Sequence, residues 1–148
     1  KAAVTLDSDA QTLLENAEST LSTLITSDAA FTGASTAKKA DIHFLLGLVR
    51  LFKAARTALV AGGISTSTVA TYDQTACLAS VNANISQIST LNTDLSGSES
   101  SFNDSGLTDG NSIVKLVTNF EDQVPQTPTP TEQEKADLCT YLVAQNGL

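Results

Sequence analysis

Residues that usually form metal centres and catalytic sites are scarce in this sequence. It has one histidine, His43, two cysteines, no methionine and no tryptophan. A lone histidine cannot support an ordinary zinc site, and no Gly-x-Ser-x-Gly turn, phosphate-binding loop or calcium-binding loop is present. Asp41 is the only carboxylate near His43 in the sequence, and it points to another side of a helix. We therefore predict no enzyme, no metal site and no cofactor.

Positive charge and aromatic side chains are also few. The chain has eight lysines and arginines but sixteen acidic residues, which gives a net charge of -8. Aromatic residues make up 5% of the chain. An acidic protein repels nucleic acid and anionic membrane surfaces, so neither is an expected partner. No run approaches the ~20 apolar residues of a membrane span, because Arg50, Lys53 and Arg56 interrupt the best candidate. We predict no transmembrane segment.

The residues that are abundant predict one folded domain over 1–148. Hydrophobic residues make up 41% of the chain, and 36 residues are serine or threonine. This apolar content is sufficient to offset the conformational entropy of a chain of this length. The expected product is a globular protein with a neutral, hydroxyl-rich surface.

The two cysteines and two sequons indicate an extracellular protein. Cys77 and Cys139 fit a single disulfide, which a secreted protein retains and a cytosolic protein reduces. Asn84-Ile-Ser and Asn103-Asp-Ser fit the acceptor pattern for N-glycosylation. We expect a secreted glycoprotein in its mature form, beginning at Lys1 after signal-peptide removal.

The stretch 35–63 is the predicted centre of the fold. Ser35 or Thr36 can cap the start of a helix, and Gly62-Gly63 can end it in a left-handed turn. Between them, apolar residues cover most of the helix circumference, which is typical of a buried helix. Lys39, His43 and Arg50 share one narrow polar edge. We predict a central helix that other helices wrap.

The rest of the chain predicts four more helices and no strand. Apolar residues recur every three or four positions in each of these segments. They cover 6–27, 69–95, 111–124 and 131–147, with a short turn over 64–68, a Ser/Gly/Asp-rich loop over 97–110 and an extended Pro-rich linker over 125–131 (PQTPTPT). The sequence from Thr131 to Glu134 fits a capping box at the start of the last helix. Short connections favour antiparallel neighbours. The predicted fold is therefore an all-α, antiparallel bundle of about five helices with one disulfide, which fixes the last helix.

The expected function is the binding of a hydrophobic small molecule. Bulky residues of the central helix facing small residues can pack tightly, or can enclose a cavity for a fatty acid, sterol or pigment-like ligand. In the second case, loop 97–110 is a natural lid, and Arg50, Lys53 or His43 would meet a carboxylate. The predicted ligand-binding residues are Phe44, Leu45, Leu48, Arg50, Phe52, Lys53, Tyr72, Val81, Ile85, Phe120 and Tyr141. The alternative is a structural or adhesive surface protein that acts through its Ser/Thr-rich faces.

Overall fold

The chain folds into helices only, over the part that the structure describes. The computed structural model describes residues 8–64 and 72–146, and these contain no β-strand. Their seven helices are α1 (Ser8–Ser27), α2 (Ala29–Thr32), α3 (Thr36–Gly62), α4 (Gln74–Ala83), α5 (Ser86–Asp104), α6 (Ser112–Glu121) and α7 (Glu132–Asn146). None of the seven is long and apolar enough to cross a bilayer. The predicted all-α bundle is confirmed, with two more helices than expected.

Helix α3 begins and ends where the sequence predicts. The Ser35 side chain accepts a hydrogen bond from the backbone N–H of Lys38. Gly63 has a φ of 73° and donates its N–H to the carbonyls of Leu59 and Val60. A side chain is strained in this left-handed conformation, so glycine is the residue that can end the helix here.

Helices α3 and α5 pack antiparallel at the centre of the fold. Gly47 of α3 allows this close approach, because a Cβ there would lie 2.7 Å from ring atoms of the fully buried Phe102. The Ser98 hydroxyl donates to the Gly47 carbonyl at 2.9 Å. The predicted loop and lid over 97–110 is therefore wrong for 97–104, since α5 continues to Asp104 and its small residues are part of the central contact. Residues 105–110 are non-helical, as predicted.

The segment predicted as one helix over 69–95 is instead divided at residues 84–85. Asn84 ends α4, and its side-chain amide donates to the Ser80 carbonyl at 3.0 Å. The backbone N–H of Asn84 donates to the same carbonyl at 2.9 Å, and asparagine favours helix ends because its side chain makes local backbone bonds of this kind. The predicted turn over 64–68 falls largely outside the described residues, and so does the predicted helix start at Val69. The predicted start of the first helix and the predicted end of the last helix also lie outside them.

The disulfide joins α4 to α7. Cys77 and Cys139 are both fully buried, and their Cα atoms lie 5.7 Å apart. The predicted capping box at the start of α7 is also present, because Thr131 and Glu134 exchange side-chain-to-backbone hydrogen bonds. The bridge confirms the prediction that the disulfide fixes the C-terminal helix to the bundle. The cap confirms the predicted start of that helix.

The connection between α6 and α7 is non-helical, as predicted, but it is not extended throughout. The chain bends at residues 127–129. Both ends of the connection are fixed to the bundle: Pro125 is buried, and Thr131 caps α7. The proline-containing segment therefore bends between its two attachments.

Helix α1 packs antiparallel to α3 at the periphery. Its apolar side chains are only half-buried, apart from Leu13, which is 68% exposed. The face of α3 that points away from α5 carries Leu45 and Phe52, which are 50% and 46% exposed. Other helices therefore pack around α3 as predicted, except on this face, which remains in contact with solvent.

Candidate ligand-binding site

The two cations predicted to anchor a ligand are bound by the protein's own carboxylates. Arg50 Nε donates to Glu18 Oε1 at 2.8 Å, and Lys53 Nζ donates to Glu18 Oε2 at 2.6 Å. Lys53 also donates to Asp94 at 3.0 Å, while Arg50 reaches Ser101 Oγ at 3.0 Å. Glu18, Arg50, Lys53 and Asp94 form an ionic cluster that links α1, α3 and α5.

The pKa values in the ionic cluster reflect its partial burial. Burial alone would raise the pKa of Glu18, but hydrogen bonds from Lys53 and Arg50 outweigh it and lower the pKa below its ordinary value. Burial opposes the charge of Lys53 as well, yet Glu18 and Asp94 together raise its pKa. For Asp94, burial dominates over the attraction of Lys53 and raises the pKa. Arg50 and Lys53 are thus committed to structural ion pairs.

The other predicted ligand-binding residues lie in separate regions. Phe44 packs on Phe102 with ring centroids 5.6 Å apart, and Phe120 packs on Tyr141 at 5.3 Å. The rest are divided between buried and exposed positions: Val81 is fully buried, Leu48 is half-buried against the core, and Ile85 is 37% exposed. These residues are therefore distributed over different parts of the bundle.

The two tyrosines among the predicted ligand-binding residues, Tyr72 and Tyr141, are partly buried. Tyr72 donates its hydroxyl to the Gly62 carbonyl at 2.7 Å. Burial raises the pKa of Tyr72 to about 12 and raises that of Tyr141 in the same direction. Both hydroxyls therefore remain protonated at neutral pH. The hydroxyl of Tyr72 links the end of α3 to the residues that precede α4.

His43 has a carboxylate neighbour that sequence reasoning missed. Its Nδ1 lies 3.8 Å from an oxygen of Asp104, which α5 supplies. A small surface pocket of about 200 Å³ is lined by these two residues together with Ser22, Ile25, Thr26, Leu46, Arg50 and Ser101. The Ser101 hydroxyl donates to the Gly97 carbonyl at 2.8 Å and accepts from Arg50, so it is not aligned as a nucleophile toward His43. Within the described ranges, no cluster of three metal-ligating side chains is present either.

An apolar groove lies where α1, α2 and the start of α3 meet. Its volume is about 380 Å³, within the range of small-molecule sites. Seven residues line it: Leu24, Ala30, Phe31, Gly33, Ala34, Lys38 and Ile42. The half-buried ring of Phe31 packs edge-on against His43, with ring centroids 5.7 Å apart. The same ring forms a wall of the groove.

Lys38 supplies a cation at the rim of this apolar groove. Lys38 is exposed, and its ammonium has no hydrogen-bond or ion-pair partner among the described residues. Its neighbour Lys39 is already engaged, because it donates to the Thr32 carbonyl at 2.9 Å and lies 5.6 Å from the centroid of Phe31. An anionic group at the groove would therefore meet the ammonium of Lys38.

The apolar groove continues as a stripe along the exposed face of α3. Ile42, Leu45, Val49 and Phe52 recur at intervals of three or four residues and therefore share one side of the helix. From Ile42 to Phe52 the stripe extends about 15 Å at 1.5 Å per residue. Two of the predicted ligand-binding residues, Leu45 and Phe52, belong to it. The sequence signal for this stripe was that apolar residues surround most of α3. The neighbouring helices cover only part of that apolar surface, and the stripe is the part that stays exposed.

The two predicted glycosylation sites differ in exposure. Asn103 is exposed on the last turn of α5. Asn84 is half-buried, and its side-chain nitrogen is hydrogen-bonded to Ser80. A glycan on Asn103 would project into solvent, whereas one on Asn84 would replace the bond that ends α4.

Comparison of the chain with protein-family models, with curated proteins and with solved structures finds no match.

Proposed function

We propose that the protein is a secreted, non-enzymatic binding protein for an amphipathic small molecule with an apolar chain and an anionic head, such as a fatty acid. The observation that carries this proposal is the apolar groove between α1, α2 and α3, which is lined in part by Lys38, whose ammonium has no partner among the residues that the structure describes. The ligand's chain lies over Leu24, Phe31 and Ile42, and its head group meets Lys38. This groove replaces the interior cavity as the expected site.

The apolar chain supplies most of the binding free energy in this arrangement. Each buried methylene contributes about 0.8 kcal/mol, whereas an exposed ion pair contributes ~0.2–1 kcal/mol. A longer chain can extend from Ile42 onto Leu45 and Phe52, which are both about half exposed. Lys38 therefore selects for a charged head group rather than providing the affinity.

Two observations support an extracellular location. The buried Cys77–Cys139 disulfide requires an oxidising compartment to form and persist. Asn103 presents an exposed glycosylation sequon. A carrier of apolar molecules in an aqueous extracellular medium fits both.

A structural or adhesive surface role is the second candidate. A broad concavity of about 590 Å³ runs along α1 and α2 and is lined mainly by hydroxyl-bearing and small residues: Ser19, Thr20, Thr23, Leu24, Ser27, Asp28 and Ala29. A hydroxyl-rich surface of this kind favours contact with a polar material. It adjoins the apolar groove through Leu24, which both share.

The first experiment is native mass spectrometry of the purified protein, followed by organic extraction of any bound molecule. We expect an apolar anion at one equivalent. An empty protein that also fails to bind fatty acids, sterols and pigments would contradict the carrier proposal and favour the surface role.

Fluorescent fatty-acid titration of matched variants then locates the site. We expect Ile42→Ser to weaken binding by roughly 15- to 60-fold, because it removes two to three buried methylene equivalents at about 0.8 kcal/mol each. Leu116→Ser is the control, since Leu116 is 52% exposed on α6, away from the groove. Equal losses in both variants would contradict binding in the groove.

The head-group contact is tested separately with Lys38→Gln. It should weaken fatty-acid binding about 2- to 5-fold, the range of an exposed ion pair, and leave the alcohol of the same chain length unaffected. Lys115→Gln on α6 is the matched control, because Lys115 is also exposed. Unchanged fatty-acid binding by Lys38→Gln would remove the head-group assignment.

A further inference from the structure

The connection between α6 and α7, residues 125–131, is fixed to the bundle at both ends; we call it the Thr-Pro loop. At its start, the buried Pro125 accepts a hydrogen bond on its carbonyl from the Asn92 side chain at 2.6 Å. At its end, Thr131 caps α7 through its reciprocal bonds with Glu134. The loop is therefore held in place while its middle projects from the surface.

The middle of the Thr-Pro loop presents two threonine hydroxyls to solvent. Thr127, Pro128 and Thr129 are all exposed, and the backbone bends there without helical hydrogen bonds. Within the described part of the chain, the hydroxyls of Thr127 and Thr129 have no hydrogen-bond partner. A group attached to either one would displace no packed side chain.

The neighbouring threonines differ in this respect. The Thr131 hydroxyl is bonded to the Glu134 carboxylate at 2.8 Å. Thr118 is half-buried in α6, and its hydroxyl donates to the Val114 carbonyl at 3.1 Å. Modifying either would break an existing bond, so the structure separates two accessible hydroxyls from two engaged ones.

We propose that Thr127 and Thr129 are sites of O-linked glycosylation. The modifying enzyme needs access both to the hydroxyl and to the surrounding backbone. Proline keeps that backbone out of helix and sheet, because it lacks an N–H donor. Exposed threonine alternating with proline is the composition typical of O-glycosylated segments. This inference rests on the secretory route included in the proposed function.

The transfer step needs an activated sugar as its second substrate. The threonine Oγ attacks the anomeric carbon of a sugar carried on a nucleotide or a polyprenyl phosphate. A new carbon–oxygen bond forms, and the bond from the anomeric carbon to the phosphate oxygen breaks. The phosphate leaves with that electron pair, and the hydroxyl proton passes to a base of the transferase. No electrons are gained or lost.

Recognition of the Thr-Pro loop by a proline-binding domain is the less favoured interpretation. Pro125-Gln126-Thr127-Pro128 matches the P-x-x-P spacing that such domains read in polyproline geometry. Pro125, however, is buried in the bundle, and the chain bends at 127–129. One of the two prolines is therefore inaccessible, whereas both hydroxyls remain open.

The test uses the protein secreted by the cells that make it. Trypsin releases residues 116–135, a peptide that contains four threonines, no serine and no N-glycosylation sequon. After enzymatic removal of N-glycans, we expect this peptide to carry hexose or N-acetylhexosamine mass increments. Electron-transfer fragmentation should place them on Thr127 and Thr129. An unmodified peptide, or sugar on Thr118 or Thr131 instead, would overturn the proposal.

Variants and a thiol assay complete the test. Thr127→Val with Thr129→Val should abolish the increment, while Thr131→Val should retain it. If the increment persisted in the double variant, the assignment would be wrong. Free-thiol titration of the denatured, unreduced protein distinguishes failure of the secretory route. Two thiols would refute the secreted location in the proposed function together with this proposal, whereas the absence of thiols combined with an unmodified peptide would refute only this proposal.

Discussion

Replacing Glu18 by glutamine should loosen α1 from the rest of the bundle. The Glu18 carboxylate accepts from both Arg50 and Lys53, and its side chain is 23% exposed. Exposed ion pairs contribute ~0.2–1 kcal/mol, and breaking a buried pair costs ~3–5 kcal/mol. The amide retains one acceptor oxygen, and Lys53 keeps Asp94 as a partner. We expect a loss of about 1–2 kcal/mol in the free energy of unfolding at pH 7.

The loss should be concentrated in α1. None of the α1 side chains that the structure describes is fully buried, so the ionic cluster provides a large share of this helix's attachment. Urea denaturation gives the global change, and hydrogen exchange followed by mass spectrometry gives the local one. Glu15→Gln is the control, because Glu15 is exposed on the same helix and should change stability by less than ~0.5 kcal/mol. Equal stability and exchange in the two variants would refute the role of the cluster.

Acid should reduce the difference between wild type and Glu18→Gln. The folded-state pKa of Glu18 lies below its ordinary value of 4.5, so its contribution is present above that pH and is lost as the pH falls through the folded value. Asp94 acts in the opposite sense: its raised pKa means that stability is lost as the pH rises through the folded value. Denaturation measured from pH 7 to pH 3 should show the wild-type advantage shrinking below about pH 4.5. An advantage that grew on acidification would contradict this assignment.

Two further predictions concern the core. Reducing the disulfide, whose cysteines are 62 residues apart, should destabilise the fold by about 4 kcal/mol on the chain-entropy account, measured by urea denaturation with and without reductant. No change on reduction would show that the bridge does not restrict the unfolded chain. Gly47→Ala should destabilise by about 1–2 kcal/mol, because the clash of its Cβ with Phe102 outweighs the ~1 kcal/mol gain in helix propensity. A rise in thermal stability would mean that Phe102 can move aside.

The features predicted correctly from the sequence depend on local chemistry. The caps of α3 at Ser35 and Gly63 and the capping box at Thr131 each involve residues within one turn of one another. The disulfide followed from having only two cysteines. Such signals are complete within a short stretch of chain, so tertiary packing does not override them.

The extension of α5 through residues 97–104 could not be predicted in this way. Its Ser/Gly-rich composition is typical of a loop. The helix forms because Gly47 leaves room for Phe102, and because Ser98 can bond across to the α3 backbone. Both contacts join residues about fifty positions apart, so no local pattern reveals them.

The role of the cations was also determined by distant residues. Arg50 and Lys53 look like free anchors within their own helix, because no acidic residue lies one turn away on the same face. Glu18 and Asp94 neutralise them from α1 and α5. Lys38 lacks such a partner among the described residues, and only the packing of α2 against α3 places it beside an apolar groove.

The position of the disulfide also sets how the protein responds to mechanical force. If tension is applied between the two chain ends, the force passes through the disulfide from Cys77 to Cys139, and the residues between the two cysteines bear none of it. Helices α5 and α6 lie inside this bypass, and α1 to α3 lie outside it. The enclosed span would otherwise add roughly 200 Å of extension at ~3.4 Å per residue. A chain stretched from its ends would therefore release its N-terminal helices while this span stays out of the load path until the bridge is reduced.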